Sequence, residues 1–395
     1  MQILVINSGS SSIKFQIIEM PSEVIICKGL VERIGLENAE IHYEVKGQSK
    51  SEVKPLSNHK EGLQAITDML MHDEIGVLKH PDEVGVVAHR VVHGGNRFDQ
   101  PTVVDETVLA EIERLSALAP LHNPANATGI KVATEIFKNA LQVAIFDTAF
   151  HQTLPEKAYR YAIPKSLADE NHIRVYGFHG TSHKYVSEKA IVYLKKPSSK
   201  IISIHLGNGC SVTAVKNGKS IDHSLGFGPS NGLIMGTRSG DIDQSVIFYL
   251  MDSLGFSSDE VNRLLQKQSG LLGLTGYSDL REIQKEADQG NRDCQLALTM
   301  TAYRIKKFIG SYIAALNGLD AIIFTAGIGE NSSILRAMVC KDMEAFGILI
   351  DDEKNNQEIH TIRQIQKEDT HIKILVIPTN EELEIAKQAF ELLEV

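Results

Sequence analysis

The chain lacks the marks of several large protein classes. No stretch reaches about 18 apolar residues, so no membrane-spanning helix is expected. The opening residues, MQILVINSGSSS, have neither a basic start nor a long apolar run and do not read as a secretory signal. The four cysteines, Cys27, Cys210, Cys294 and Cys340, are scattered without a CxxC pair. That excludes zinc-ribbon and thioredoxin-type readings and suits a reducing, cytoplasmic setting. No long run of like charge occurs, and 50 Asp and Glu outweigh 40 Lys and Arg to give a net charge of −10. A chain of that balance repels polyanions, so neither nucleic acid nor an anionic membrane surface is the expected partner. No Pro-rich or Ser-rich linker is present either, so closely joined domains are expected rather than tethered ones.

What is present is ordinary globular material. The chain has 395 residues, of which 43% are hydrophobic and 23% charged, enough for two or three domains with real cores. Short branched apolar runs bounded by turn residues predict strands at 3–6, 13–17, 141–146, 201–205, 212–215, 321–324 and 374–377. Apolar spacings of three and four predict helices over 107–119, 126–138, 259–268 and 294–316. A final helix is expected after Pro378, with Thr379 and Glu382 spaced as a capping box. Strands interleaved with helices make the class α/β. One unit recurs: strand, small polar loop, strand, first around Asn7-Ser8-Gly9-Ser10-Ser11-Ser12 and again, half a chain later, around Gly207-Asn208-Gly209-Cys210-Ser211. Two such units point to two related domains.

Both loops, with a third at Gly327-Ile328-Gly329-Glu330-Asn331-Ser332, have the small residues that let backbone N–H groups close on a phosphate. The third is expected to feed a helix N-terminus. Familiar nucleotide signatures are missing. Gly218-Lys219-Ser220 imitates the end of a Walker A loop, but Thr213 stands where its first Gly is required, and Asn217-Gly218 reads as a hairpin turn. No GxGxxG follows the first strand. Any nucleotide site must use another architecture.

A second set of segments concentrates anion-recognising side chains: His89-Arg90-Val91-Val92-His93-Gly94-Gly95, Leu121-His122-Asn123-Pro124, Asp147 after a strand, Gly177-Phe178-His179-Gly180-Thr181-Ser182-His183, and Gly236-Thr237-Arg238-Ser239-Gly240. Arg238 between small residues is suited to a carboxylate or phosphoryl group. Duller readings stand beside these. Arg90 could be a structural ion pair, Asp147 a turn cap, and Cys210 a small packing residue. His89 and His93, like His179 and His183, are spaced for zinc on a helix, but no HExxH occurs and the neighbouring glycines disfavour helix.

Taken in order from Asn7-Ser8-Gly9-Ser10-Ser11-Ser12-Ile13-Lys14-Phe15 to Pro378-Thr379-Asn380-Glu381-Glu382, these segments resemble the signature segments of the acetate kinase family of short-chain carboxylate kinases, over essentially the whole chain. The resemblance implies an actin-like fold: two duplicated ribonuclease-H-like domains, 1–148 joined by a C-terminal helix 383–395, and 149–382, with the active site in the cleft between them. It implies reversible transfer of phosphoryl from ATP to acetate, giving ADP and acetyl phosphate. Magnesium, or manganese in its place, would be the cofactor, and the protein a cytoplasmic homodimer.

By the same resemblance Asn7 and Glu381 govern the metal. Lys14 contacts ATP, Gly207, Asn208 and Gly209 form the β/γ-phosphate loop with His205 and Leu206 beside them, and Asp279, Leu280, Arg281, Gly327, Ile328, Gly329, Glu330 and Asn331 meet the adenosine. Arg90 and Arg238 clamp carboxylate and phosphoryl group, His179 stabilises the transferring group, and Asp147 is the catalytic acid. Val92, Leu121, His122, Phe178 and Pro229 lie on the acetate side. The chain departs from the family's usual pattern at Asp222-His223-Ser224-Leu225-Gly226, at Pro229-Ser230-Asn231-Gly232 and at Asn96. Because a carboxylate is already ionised at pH 7, Asp147 is expected to orient an arginine or magnesium waters rather than act as a base.

Overall fold

The computed structural model describes residues 1–394 apart from Ser10 and Leu121. It divides into two compact units, Met1–Ala149 with Asn380–Val395, and Phe150–Thr379.

The first unit is built on an eight-stranded sheet: β1 Gln2–Ser8, β2 Ile13–Glu19, β3 Val24–Glu32, β4 Ala39–Val45, β5 Gln48–Lys54, β6 Val86–Val91, β7 Thr102–Val103 and β8 Leu141–Phe146, in the order β5-β4-β3-β2-β1-β6-β8-β7. The second holds a six-stranded sheet: β9 Lys200–Leu206, β10 Cys210–Lys216, β11 Lys219–His223, β12 Ala321–Thr325, β13 Arg363–Gln364 and β14 Lys373–Val376, in the order β11-β10-β9-β12-β14-β13. The two share one pattern. In β3-β2-β1-β6-β8 the first three strands are antiparallel and the last two join in parallel. The run β11-β10-β9-β12-β14 repeats this strand for strand. The repeated strand-loop-strand units are thus the β1–β2 and β9–β10 hairpins of two like-built sheets.

Burial explains why these segments pair. Leu4, Ile6, Ile13, Phe15 and Ile17 pack into one cluster with Leu63, Ile66, Leu70 and Phe137. In the second unit Ile201, Val215, Ile323 and Leu375 pack with Val186 and Ala190. These partners come from the helices His59–Leu70 and Gly180–Leu194 and from Phe137, which caps the helix Asn123–Ile136.

Several local expectations change. The glycine-rich segment 327–331 is not an open loop; Ala326–Asn331 is a short helix directly after β12. Gly329 lies against Phe324, where a Cβ would stand 3.3 Å from a backbone atom, and this lets the helix sit close on its strand. At Glu381–Glu394 the cap is Asn380, whose Oδ1 accepts the Leu383 N–H at 3.0 Å, rather than Thr379. The expected domain boundary at 382/383 falls inside this helix. His183 does lie in a helix, since Gly180 begins one, and His179 stands just outside it in a left-handed conformation, φ 56°.

A buried histidine makes the first unit acid-sensitive. His89 on β6 is 2% exposed, and its Nε2 lies 2.8 Å from Gln142 Oε1 on β8. Burial pushes its pKa down from 6.5 to about 4, against the opposing pull of the Gln142 bond. The folded protein therefore holds a neutral ring while the unfolded chain takes a proton. Its contribution is complete above pH 6.5 and is lost as pH falls toward 4, up to about 3 kcal/mol. The urea midpoint should drop through that window, and His89→Gln should flatten the drop; an unchanged slope would remove His89 from the account.

Candidate active site

In the first unit the site residues gather at the carboxyl ends of β1, β6 and β8, where open α/β sheets place their ligands. Asn7 and Arg90 lie next to last in β1 and β6, and Asp147 follows β8. Asp147 Oδ2 accepts from Arg90 Nε at 3.1 Å and from Nη2 at 2.5 Å, while Arg90 Nη1 donates to Asn7 Oδ1 at 3.2 Å. Burial alone would lower the Arg90 pKa; the carboxylates of Asp147 and Glu381 outweigh it and raise the guanidinium above its ordinary value. Asp147 thus meets an arginine.

Glu381 opens the helix Glu381–Glu394. Burial pushes its pKa up to about 7; Arg90 pulls it down, and the neighbouring Asp147 and Glu382 push it further up. Lys14, opposite Asn7 in the β1–β2 register, pairs with Glu382 at 2.6 Å. Val92 is buried, and its N–H donates to Asn126 Oδ1 at 3.1 Å. Asn126 Nδ2 in turn reaches Ser8 O at 2.7 Å. Asn126 so ties the end of β6 to the first polar loop, a role that no local motif announces. His122 precedes the helix Asn123–Ile136, while Leu121 lies outside the described residues.

In the second unit, a cavity of about 520 Å³ is lined by Gly207, Asn208, Asp279, Leu280, Arg281, Gly327, Ile328 and Asn331, together with Ser278, Gln284 and Ser332. Ser332 closes the third glycine-rich segment, whereas Ser278 and Gln284 were not singled out from sequence, because lone polar residues at and within helices are commonplace. Asp279 caps the helix Leu280–Asp288 and also holds Arg281, Nε to Oδ1 at 3.0 Å. Gly329 and Glu330 do not line this cavity. Glu330 turns away, its Oε1 accepting the Thr379 N–H at 3.0 Å.

The turn after β9 sits beside the second arginine. A Cβ on Gly209 would lie 3.2 Å from His179 Nε2 and 3.6 Å from Arg238 Nη1, so glycine leaves these groups room to share the place without a shift of the histidine. His205 stacks on His179 with ring centroids 4.3 Å apart, and Leu206 is buried in the strand. Burial lowers the Arg238 pKa. Its Nη1 donates to Pro229 O at 2.9 Å, and among the described residues no carboxylate pairs with it. The segment 235–238 is itself pinned: Leu271 and Leu272 donate their N–H groups to Met235 O and Gly236 O, both at 2.9 Å. Phe178 is buried just before His179. Cys210, whose thiol is pushed up to about 12 by burial, donates weakly to Gly207 O and is no nucleophile.

Oxygen donors dominate around Arg90, which suits magnesium. The crowding of Asp147, Glu381 and Glu382 is the charge a divalent cation would relieve. Among the described residues no three His, Cys, Asp or Glu side chains converge as a metal site. A cation held by one or two oxygens, water and phosphate needs no such cluster. No helix among the described residues is long and apolar enough to cross a membrane.

The model of the Acetokinase family matches residues 2–387. An acetate kinase of Flavobacterium johnsoniae is 62% identical over 394 residues, covering 100% of both chains. Among solved structures, Porphyromonas gingivalis acetate kinase superposes with a TM-score of 0.94 at 41% identity, over 99% of each chain. A propionate kinase from Francisella tularensis superposes with a TM-score of 0.93 at 42% identity, over 98% of each.

Proposed function

The chain belongs to the acetokinase family, and from that premise we infer how its residues carry phosphoryl transfer from ATP to acetate, giving ADP and acetyl phosphate. The observation that carries the reading is the meeting at Gly209 of an arginine without a carboxylate partner and an imidazole, on the turn whose other residues line a nucleoside-sized cavity.

The 520 Å³ cavity takes the adenosine, and Gly207 to Gly209 take the β- and γ-phosphates. Arg90, held by Asp147 and Asn7, binds the carboxylate of the acid. That carboxylate is already ionised, so no residue removes a proton. One of its oxygens forms a bond to the γ-phosphorus while the bond to the β,γ-bridging oxygen breaks, its electron pair leaving on ADP. Arg238 and His179 meet the charge spread over the equatorial oxygens. Asn7 and Glu381 would hold magnesium through water, and the ion would neutralise phosphate charge.

The cytoplasm is the proposed compartment, in keeping with four separate, buried thiols. A second copy of the chain is the proposed partner. The helix Gln244–Asp252 is apolar yet has no buried residue, with Phe248 61% and Tyr249 58% exposed. Such a face is commonly covered by self-association. Sedimentation should report the mass of two chains, and Phe248→Glu should yield one; a wild-type monomer at micromolar concentration would reject the assignment.

Trapping of the product with hydroxylamine tests the reaction. ATP, magnesium and millimolar acetate should give acetyl hydroxamate, and its absence would overturn the reading.

A further inference from the structure

His179 is reached by a chain of buried polar contacts within the second unit. Its Nδ1 lies 2.9 Å from Ser211 Oγ. Ser211, on β10, is fully buried, and the same Oγ lies 2.8 Å from His183 Nε2. His183, also fully buried, places its Nδ1 2.8 Å from Ser203 Oγ on β9. One serine hydroxyl therefore stands between two imidazoles. It has a single proton and two lone pairs, so it can donate to only one of the two rings.

The direction of that donation decides what His179 presents to the Gly207–Gly209 turn. A neutral imidazole carries one N–H, and the partner of one nitrogen fixes the state of the other. Burial first, and then the nearby His151 and His205, hold His183 neutral, well below its ordinary pKa. With the His183 proton on Nε2, the bonds run His183 to Ser211 to His179 Nδ1, and the His179 proton stands on Nε2. That is the edge facing Gly209, 3.2 Å from where a Cβ would lie. With the relay reversed, a neutral His179 turns a lone pair toward an anionic phosphoryl group and repels it.

We propose that Ser211 is a positioning residue which relays a hydrogen bond from His183 and so holds His179 as the neutral Nε2–H tautomer, a donor to the transferring phosphoryl group. The proposal deepens the reading of His179 given above and rests on it. The same serine makes the ring rigid as well as oriented, since His179 is clamped between Ser211 and the stacked His205. The sequence marks Ser211 only as the end of a small polar loop, and nothing there points to a contact with two histidines; it lies on the strand β10.

The test joins spectroscopy to kinetics. Imidazole nitrogen NMR of the full-length protein, with the His179 signals assigned by their loss in His179→Gln, should show Nε2 protonated and Nδ1 bare at pH 7.5. Ser211→Ala should lower kcat about 10- to 100-fold, part of what loss of a transition-state donor costs, and leave the KM for ATP within about threefold. It should also change the His179 nitrogen signals, and Ser211→Thr, which keeps the hydroxyl, should restore both. A wild-type His179 protonated at Nδ1 would overturn the proposal even if Ser211→Ala failed to fold. So would Ser211→Ala with normal kcat, or with reduced kcat and unchanged signals. Hydroxamate formation by the wild type, measured alongside, separates failure of the relay from failure of the reaction assignment.

Discussion

In Arg238→Ala, kcat is expected to fall about 10³-fold or more while the KM for acetate moves only a few-fold. Loss of an arginine that meets transition-state charge costs about 10³ to 10⁵ in comparable transfers. The structural reason is the state of the side chain before substrate arrives. Its Nη1 is anchored on Pro229 O, burial already lowers its pKa, and no carboxylate among the described residues neutralises it. A cation kept in that condition gains most when negative charge is brought to it. Arg238→Lys should recover little, because an ammonium cannot keep the anchor and present a planar fork together. Steady-state kinetics decides the matter: an unchanged kcat with a raised KM for acetate would make Arg238 a binding residue.

The second large effect is expected at Asp147, and it acts through Arg90. Asp147→Ala removes the acceptor of two guanidinium bonds, at 3.1 and 2.5 Å, and leaves the partly buried cation held by Asn7. Breaking a buried pair by deleting one partner costs about 3–5 kcal/mol, roughly 10²- to 5 × 10³-fold if it falls on acetate capture. The kcat/KM for acetate should drop by that factor. Asp147→Asn, which can still offer an oxygen to Arg90, should lose less. If the asparagine variant lost as much as the alanine one, charge rather than orientation would be the contribution. If Asp147→Ala kept wild-type kcat/KM for acetate, the anchoring role would be lost altogether.

What could be read from the residues alone follows from how local the signals are. The two hairpins were legible because each is an apolar run, a small polar loop and a second run within about fifteen residues, and their shared pattern survives as two like-ordered sheets. The Asn217-Gly218 turn was legible for the same reason; both residues carry positive φ, 53° and 78°. The Arg90–Asp147 pair joins residues 57 apart, so each looked locally like a lone ion or a turn cap. The segment 327–331 was misjudged because glycine reads as loop, whereas here it allows a helix to lie close on Phe324. Thr379 matched a capping pattern, yet its hydroxyl is spent on Ser182 at 2.9 Å, and the next residue does the capping. Asn126 gave no signal and Ser211 only that of a small loop residue, since their contacts depend on which strands become neighbours.

The helix Glu381–Glu394 belongs to the first unit although the whole of the second lies between in the chain. A ribosome making this protein therefore releases β1 to β8 long before Leu383, Ile385, Ala386 and Ala389 exist to be buried with that unit. The second unit, continuous from 150 to 379, can complete itself first. Until the helix Glu381–Glu394 emerges, Arg90 and Asp147 stand without Glu381, and Lys14 without Glu382. A nascent chain thus cannot bring these charged groups of the first unit together until residues 380–394 have been made, and synthesis itself sets the order in which the two units are completed.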